Sequence, residues 1–386
     1  MSPKTFQIKV RQETLDDLRA RLAQTRWVDA LEGAGWDGGT DITYLKELCA
    51  YWQNEFDWRG QEEYLNSFNH FRAEVDGFGI HFILERGRRE NSLPLLLTHG
   101  WPDSFIRFHK IIPMLTDPAN HGGSAEDSFD VVVPSIPGYG FSDRPKAKGM
   151  ETQRIANLFA GLMTGELGCK KFAAHGGDWG SGITEQLALN HADSVVGIHL
   201  TDVPYHHLFT VQSKYLSEAE RKYLAAGRKW QMEEGAYAMI QGTRPQTLAC
   251  GLNDSPAGLA AWIIEKFRAW SDCGGDVESR FTKDELLTNL TIYWATETIH
   301  SSVRLYYEAM RNPPPNAAER VTVPTGVAIP PKDIVPAPRE FAERFYNLRH
   351  WTELPRGGHF AALEEPELLV EDIRAFFRPL RSAVRK

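Results

Sequence analysis

KFAAHGGDWGSG, residues 171–182, is the stretch whose reading decides the fold. Its opening residues are a short, unbroken apolar run of the kind that fills a central strand of a parallel sheet. From Trp179 the pattern turns helical and stays so to about residue 192. A strand that turns straight into a helix presents one side chain at its tip, here Asp178. Such a turn is strained and crowded, so it needs small residues two before and two after the tip. Gly176 and Gly180 occupy those positions. The plainer alternative is an Asp that merely caps the helix. No serine has the G-x-S-x-G setting, and Ser181 lacks both glycines.

Outward from this turn the same rhythm repeats. PLLLTHG (94–100), FDVVVPS (129–135) and SVVGIHL (194–200) read as buried strands, with a helical stretch at 151–167 between the second and KFAAHGG (171–177). VTVPTGVAI (321–329), LRHWTEL (348–354) and a last helix over about 366–377 resume it. Continuous apolar strands alternating with helices predict an α/β fold, a mostly parallel sheet with helices on both faces. Residues 204–317 break the rhythm, being helical and aromatic without clear strands. Residues 1–85 carry a β-like stretch (Phe6 to Val10) and an amphipathic helix with Leu15, Leu18 and Leu22 on one face. A second helix over about Ile42 to Phe56 and alternating segments at 69–75 and 80–85 follow. The expected division is an N-terminal segment (1–85), a first core segment (86–203), a helical cap or lid (204–317) and a second core segment (318–386).

An aspartate at the tip sets the chemistry. With an ordinary pKa of about 3.9 it is already an anion and needs no base to activate it. A carboxylate suits displacement at saturated carbon, and the ester it forms must then be hydrolysed. That requires a water activator and an oxyanion hole. His359, in RGGHFAA (356–362) between the last strand and last helix, is the expected base, acting as a neutral imidazole. Asp333, after the preceding strand, is the expected orienting acid, with Asp202 as competitor. The backbone N–H groups of Trp101, in HGWP (99–102), and of Trp179 are the expected oxyanion donors. Pro102 suits a fixed turn there, of the kind that admits a cis bond.

Composition narrows the partners. The 386 residues are 42% hydrophobic and 24% charged, ordinary for a globular chain, and carry a formal net charge of −8. That balance offers no basic surface for nucleic acid. Cys49, Cys169, Cys250 and Cys273 form no C-x-x-C pair, so neither a disulfide framework nor a zinc site is expected, and a reducing, cytoplasmic setting is. No apolar run reaches the about 20 residues of a membrane span, and the charged start has no signal-peptide core. No cofactor, metal or membrane anchor is expected. A homodimer is left open. Most of the 11 Trp read as core.

These residues resemble the microsomal class of epoxide hydrolases, with its insect juvenile-hormone and bacterial relatives, over nearly the whole chain. FQIKV, LDDLRARLAQTRW, YLKELCAYWQNEFDWR and LNSFNHF look like that family's N-terminal segment; HGWPDS, VVPSIPGYGFS, GGDWGS and RGGHFAALEEP look like its core motifs. The resemblance implies an α/β-hydrolase fold, Asp178 as nucleophile, His359 as base, Asp333 as acid and an apolar epoxide plus water as substrates. It also implies two lid tyrosines that donate to the epoxide oxygen, Tyr237 and Tyr306, the latter beside Tyr307. A phenol with a pKa of about 10 can donate to a basic leaving alkoxide while still protonated. Glu297 stands where relatives often have glycine, with an expected effect on lid packing or the pocket. The membrane anchor of mammalian members is not carried over. A dehalogenase with the same Asp nucleophile and a non-catalytic binding protein of the same fold are the rival readings.

Overall fold

The computed structural model describes residues 3–211, 215–316 and 318–383. Nine strands run along the chain as β1 (Lys4–Thr5), β2 (His70–Val75), β3 (Phe78–Glu85), β4 (Leu93–Thr98), β5 (Phe129–Pro134), β6 (Phe172–Gly176), β7 (Val195–Leu200), β8 (Val321–Ile329) and β9 (Tyr346–Glu353). They form one sheet in the order β1-β2-β3-β5-β4-β6-β7-β8-β9. The pairings from β5 through β9 are parallel, while β1, β2 and β3 add an antiparallel edge. Strands β6 and β7 are buried at every residue, which explains why they read as apolar runs without alternation.

Helices cover both faces. Trp179–Asn190 packs beside Thr152–Gly161 and against β4, β6, β7 and β8, while Pro366–Phe377 packs with Ile111–Thr116 and against β7, β8 and β9. The chain steps from β4 outward to β5, then crosses back to β6 on the other side of β4. Such a reversal opens a crevice beyond the carboxyl ends of the strands. Between β7 and β8 the described residues hold helices and no strand. No helix among them is long and apolar enough to cross a membrane.

One local expectation is corrected. Phe6 to Val10 is extended but forms no strand. After Phe6 N–H donates to His70 O at 2.8 Å, Ile8 N–H donates to Asn66 Oδ1 and Val10 N–H to Glu62 Oε1, so side chains replace a strand partner. Glu297 closes the helix Lys283–Thr296 in the left-handed region (φ 53°), a conformation that suits glycine. Its side chain is 65% exposed and pairs with Arg144 at 3.4 Å, so it faces outward. The helices Trp58–Leu65 and Arg339–Phe345 were not foreseen.

The N-terminal helices are stitched to the helices between β7 and β8. Arg21 pairs with Asp254 at 2.6 Å, Trp52 Nε1 donates to Thr291 Oγ1 at 2.9 Å and Thr40 Oγ1 to the Ala261 carbonyl at 2.6 Å. The last two contacts join groups that are buried or half-buried, where hydrogen bonds are less exposed to competition from water.

Candidate active site

The residues singled out in the sequence sit just beyond the carboxyl ends of parallel strands. Trp101 follows β4, Asp178 follows β6, Asp202 follows β7, Asp333 follows β8 and His359 follows β9. The sheet therefore gathers side chains that are far apart in sequence at one edge of the core.

Asp178 stands at the tip of the strand-to-helix turn with φ 58° and ψ −127°. A non-glycine residue there carries backbone strain of about 1–3 kcal/mol, which the surroundings must over-determine. The glycines show why the turn is built as it is. A Cβ on Gly180 would meet the Thr98 carbonyl oxygen at 2.0 Å, one on Gly176 would meet the Gly180 oxygen at 2.2 Å, and one on Gly100 would meet Asp178 Oδ1 at 2.3 Å. Asp178 makes no side-chain cap to its helix. Instead its Oδ1 accepts the Trp101 N–H at 2.8 Å. The Trp101–Pro102 bond is cis.

His359 is buried, and its Nδ1 lies 2.7 Å from Asp333 Oδ1. Its Nε2 lies 3.4 Å from Asp178 Oδ2 and makes no hydrogen bond. Asp333 is itself fixed by the Ile334 N–H at 2.7 Å and the Tyr205 hydroxyl at 3.3 Å. Asp202 does not take this place. Its Oδ1 accepts the Asp178 N–H and the Ser181 hydroxyl, each at 2.8 Å, so it braces the back of the turn. Burial, and then the charge of Asp333, push the Asp202 carboxyl upward.

Burial pulls the His359 imidazolium down, but the Asp333 and Asp178 carboxylates outweigh it and raise its pKa to about 10. The two carboxylates thus favour the protonated ring while Asp178 is free. A folded pKa above the unfolded value of about 6.5 gives stability that is complete below about pH 6.5 and is lost as pH rises toward 10. Thermal unfolding scans over that window are expected to show a falling Tm. The slope should be shallower in Asp333→Asn, and equal slopes would remove the assignment.

Tyr237 and Tyr306 come together above Asp178 as an aromatic wall. The Tyr237 ring stacks on Trp101 with centroids 5.4 Å apart and planes 9° apart, and the Tyr306 ring meets Trp179 edge-on at 4.8 Å. The two tyrosine rings lie 5.9 Å from each other. Both are buried, and burial first, with the Asp178 charge adding to it, raises both phenols, so they stay protonated donors. Tyr307, by contrast, lies under the Arg311 guanidinium at 3.6 Å. The Trp101 backbone N–H is already aimed at Asp178, while the corresponding donor from Trp179 makes no such bond here.

Comparisons with known proteins bear on the family and the fold. Residues 3–108 match the family model described as epoxide hydrolase N terminus, and residues 94–293 that of the alpha/beta hydrolase fold. Epoxide hydrolase 1 of Sus scrofa is 40% identical over 97% of this chain and 88% of its own length. This chain belongs to the epoxide hydrolase family. Among solved structures, Aspergillus niger epoxide hydrolase superposes with a TM-score of 0.86 at 31% identity, covering 98% of this chain and 97% of that one. The juvenile hormone epoxide hydrolase of the silkworm Bombyx mori gives 0.85 at 31% identity, covering 99% and 94%.

In this epoxide hydrolase family member several supporting residues escaped the sequence reading. Arg107 is buried, pairs with Asp103 and donates to the His359 carbonyl at 2.5 Å. Asp103 in turn accepts the Gly100 N–H at 2.9 Å, so one ion pair ties the Trp101 loop to the His359 loop. Glu364 accepts the N–H groups of Gly358 at 3.0 Å and Phe360 at 2.9 Å, clasping His359 from both sides. Trp270 takes the His359 N–H on its carbonyl at 2.8 Å. Asn289 and Tyr293 donate to the carbonyls of Pro102 and Asp103 at 2.8 and 2.9 Å. The signal for Arg107 was a charge between aromatic and aliphatic residues in FIRF (105–108), where a buried cation needs a partner.

Proposed function

We propose that this chain hydrolyses an apolar epoxide to a vicinal diol through an ester on Asp178. Asp178 attacks a ring carbon, the oxirane C–O bond breaks, and the freed oxygen takes a proton from Tyr237 or Tyr306. The ester no longer carries the Asp178 charge that held the His359 proton, and the new tyrosinate takes that proton back through solvent. His359 is then a neutral base, oriented by Asp333. It takes a proton from water as the water attacks the ester carbonyl, whose oxygen rests on the N–H of Trp101 and, in this mechanism, of Trp179. Collapse returns the carboxylate, the imidazolium and the diol, and no atom or charge is left over.

The observation that carries this reading is one carboxylate with Oδ1 on a backbone N–H at 2.8 Å and Oδ2 facing a buried imidazole at 3.4 Å, beneath two buried phenols. A halide leaving group needs no proton, so the phenols favour the epoxide over the dehalogenase reading. In this scheme residues 204–317 act as the lid over the core segments 86–203 and 318–386, and residues 1–85 wrap both. The four unpaired cysteines support the cytoplasmic expectation.

The test is a single turnover in heavy-oxygen water with enzyme in excess. The covalent route leaves the first diol unlabelled and puts the label in Asp178. A labelled diol from the first turnover would end the proposal.

A further inference from the structure

A second cluster of chemistry-bearing side chains lies away from Asp178. Glu185, His206 and His207 each offer one ligand atom, and the three atoms lie within 4.8 Å of one another. Glu185 belongs to the helix Trp179–Asn190, while the two histidines open the short helix His206–Thr210 that follows β7. Glu185 is only 2% exposed. Its ion-pair partners are His207, with Nε2 2.7 Å from Oε2, and His206, with Nε2 3.4 Å from Oε1; no lysine or arginine pairs with it among the described residues. Tyr346 Oη also donates to Oε2. Glu185 Oε1, His206 Nε2 and His207 Nδ1 are buried atoms without a hydrogen-bond partner. A buried carboxylate is normally matched by a fixed cation or a metal.

We propose that Glu185, His206 and His207 bind a divalent transition metal of the zinc class, outside the reaction site. Two imidazoles and one carboxylate are a donor set that suits zinc and its neighbours, with water as the fourth ligand. Metal bonds of about 2.0–2.2 Å put neighbouring ligand atoms roughly 3.3 Å apart in a tetrahedral site. The 3.4 Å between Glu185 Oε1 and His206 Nε2 already meets that spacing, and a His207 nitrogen lies within 4.8 Å of the other two ligand atoms. The His206 side chain is 37% exposed, which gives the ion a path from solvent. Cysteine spacing alone argued against zinc in the sequence; this donor set is assembled by the fold from a helix and the segment after β7. An ion there ties the helix that starts at Asp178 to the stretch leading into the helices between β7 and β8.

The test is calorimetric titration of the full, chelator-treated chain with zinc chloride. The wild type is expected to take up one zinc per chain, with affinity at least about tenfold weaker in His206→Ala and in Glu185→Gln. Zinc should raise the wild-type Tm by at least about 2 °C and leave His206→Ala unmoved. Because His206 is partly exposed and touches no reacting atom, His206→Ala should keep its diol-forming activity, which checks its fold. X-ray absorption of the zinc-loaded wild type should show two imidazoles in the first coordination sphere. Absence of zinc uptake, or equal uptake by wild type and His206→Ala, would overturn the proposal and leave the cluster a hydrogen-bonded network.

Discussion

A His359→Gln variant is expected to open its epoxide and then stall, accumulating an ester on Asp178. Glutamine fills much of the imidazole's space but cannot take a proton from water. Steady-state kcat should fall by about 10²–10⁴-fold, the range for losing a positioned general base. The first step should slow as well, because removing the imidazolium leaves Asp178 and Asp333 as two uncompensated buried anions. Even so, the ester forms faster than it is lost. Intact mass spectrometry after mixing with excess epoxide should find the chain heavier by one substrate, with the addition mapped to the peptide holding Asp178. A variant that turns over normally, or that stalls without adduct, would contradict the assigned role.

The two phenols should show the second large effect. Tyr237 and Tyr306 stand 5.9 Å apart ring to ring on the same aromatic wall, so either hydroxyl can serve the leaving oxygen when the other is gone. Each single change to phenylalanine should therefore slow ester formation modestly, by roughly 10-fold. The double change should cost about 10²–10⁴-fold, the contribution of proton transfer in the transition state. Phenylalanine preserves the ring contacts with Trp101 and Trp179, so Tm should move little. Rapid-mixing measurement of ester formation isolates the step. If the double variant alkylates at the wild-type rate with an epoxide, the leaving oxygen finds its proton elsewhere.

What could be read from residues alone follows from how local the cause was. Asp178 was legible because its turn tolerates nothing but glycine at two flanking positions, and the collision of any Cβ at Gly176 or Gly180 with backbone shows why. His359 was legible from its glycine-rich loop after the last strand, and Asp333 from chain order; the 2.7 Å contact between them is a product of the fold. The tyrosines were legible only through family resemblance. In sequence, Tyr237 and Tyr306 are helix residues among many aromatics, and nothing local separates a donor from packing. Arg107 was missed because its His359 carbonyl partner is brought to it by a different strand, and Asp103 and Glu364 because their bonds to nearby backbone N–H groups leave no mark in the sequence. The upward push on His359 was not legible either: a ring between two buried carboxylates is a three-body fact, and no single motif contains it. Phe6 to Val10 misled because its apolar alternation is real, while its backbone partners are the side chains of Asn66 and Glu62.

The bonds from Arg21, Trp52 and Thr40 to the helices between β7 and β8 bear on how a bulky molecule reaches the buried carboxylate. If those helices serve as the proposed lid, a roof bolted from outside is not expected to swing as one door, and admission is expected through small, local openings near unbolted turns. Tolerance for substrate girth then belongs to those turns, and loosening the bolts should widen the range of molecules accepted before it harms the chemistry.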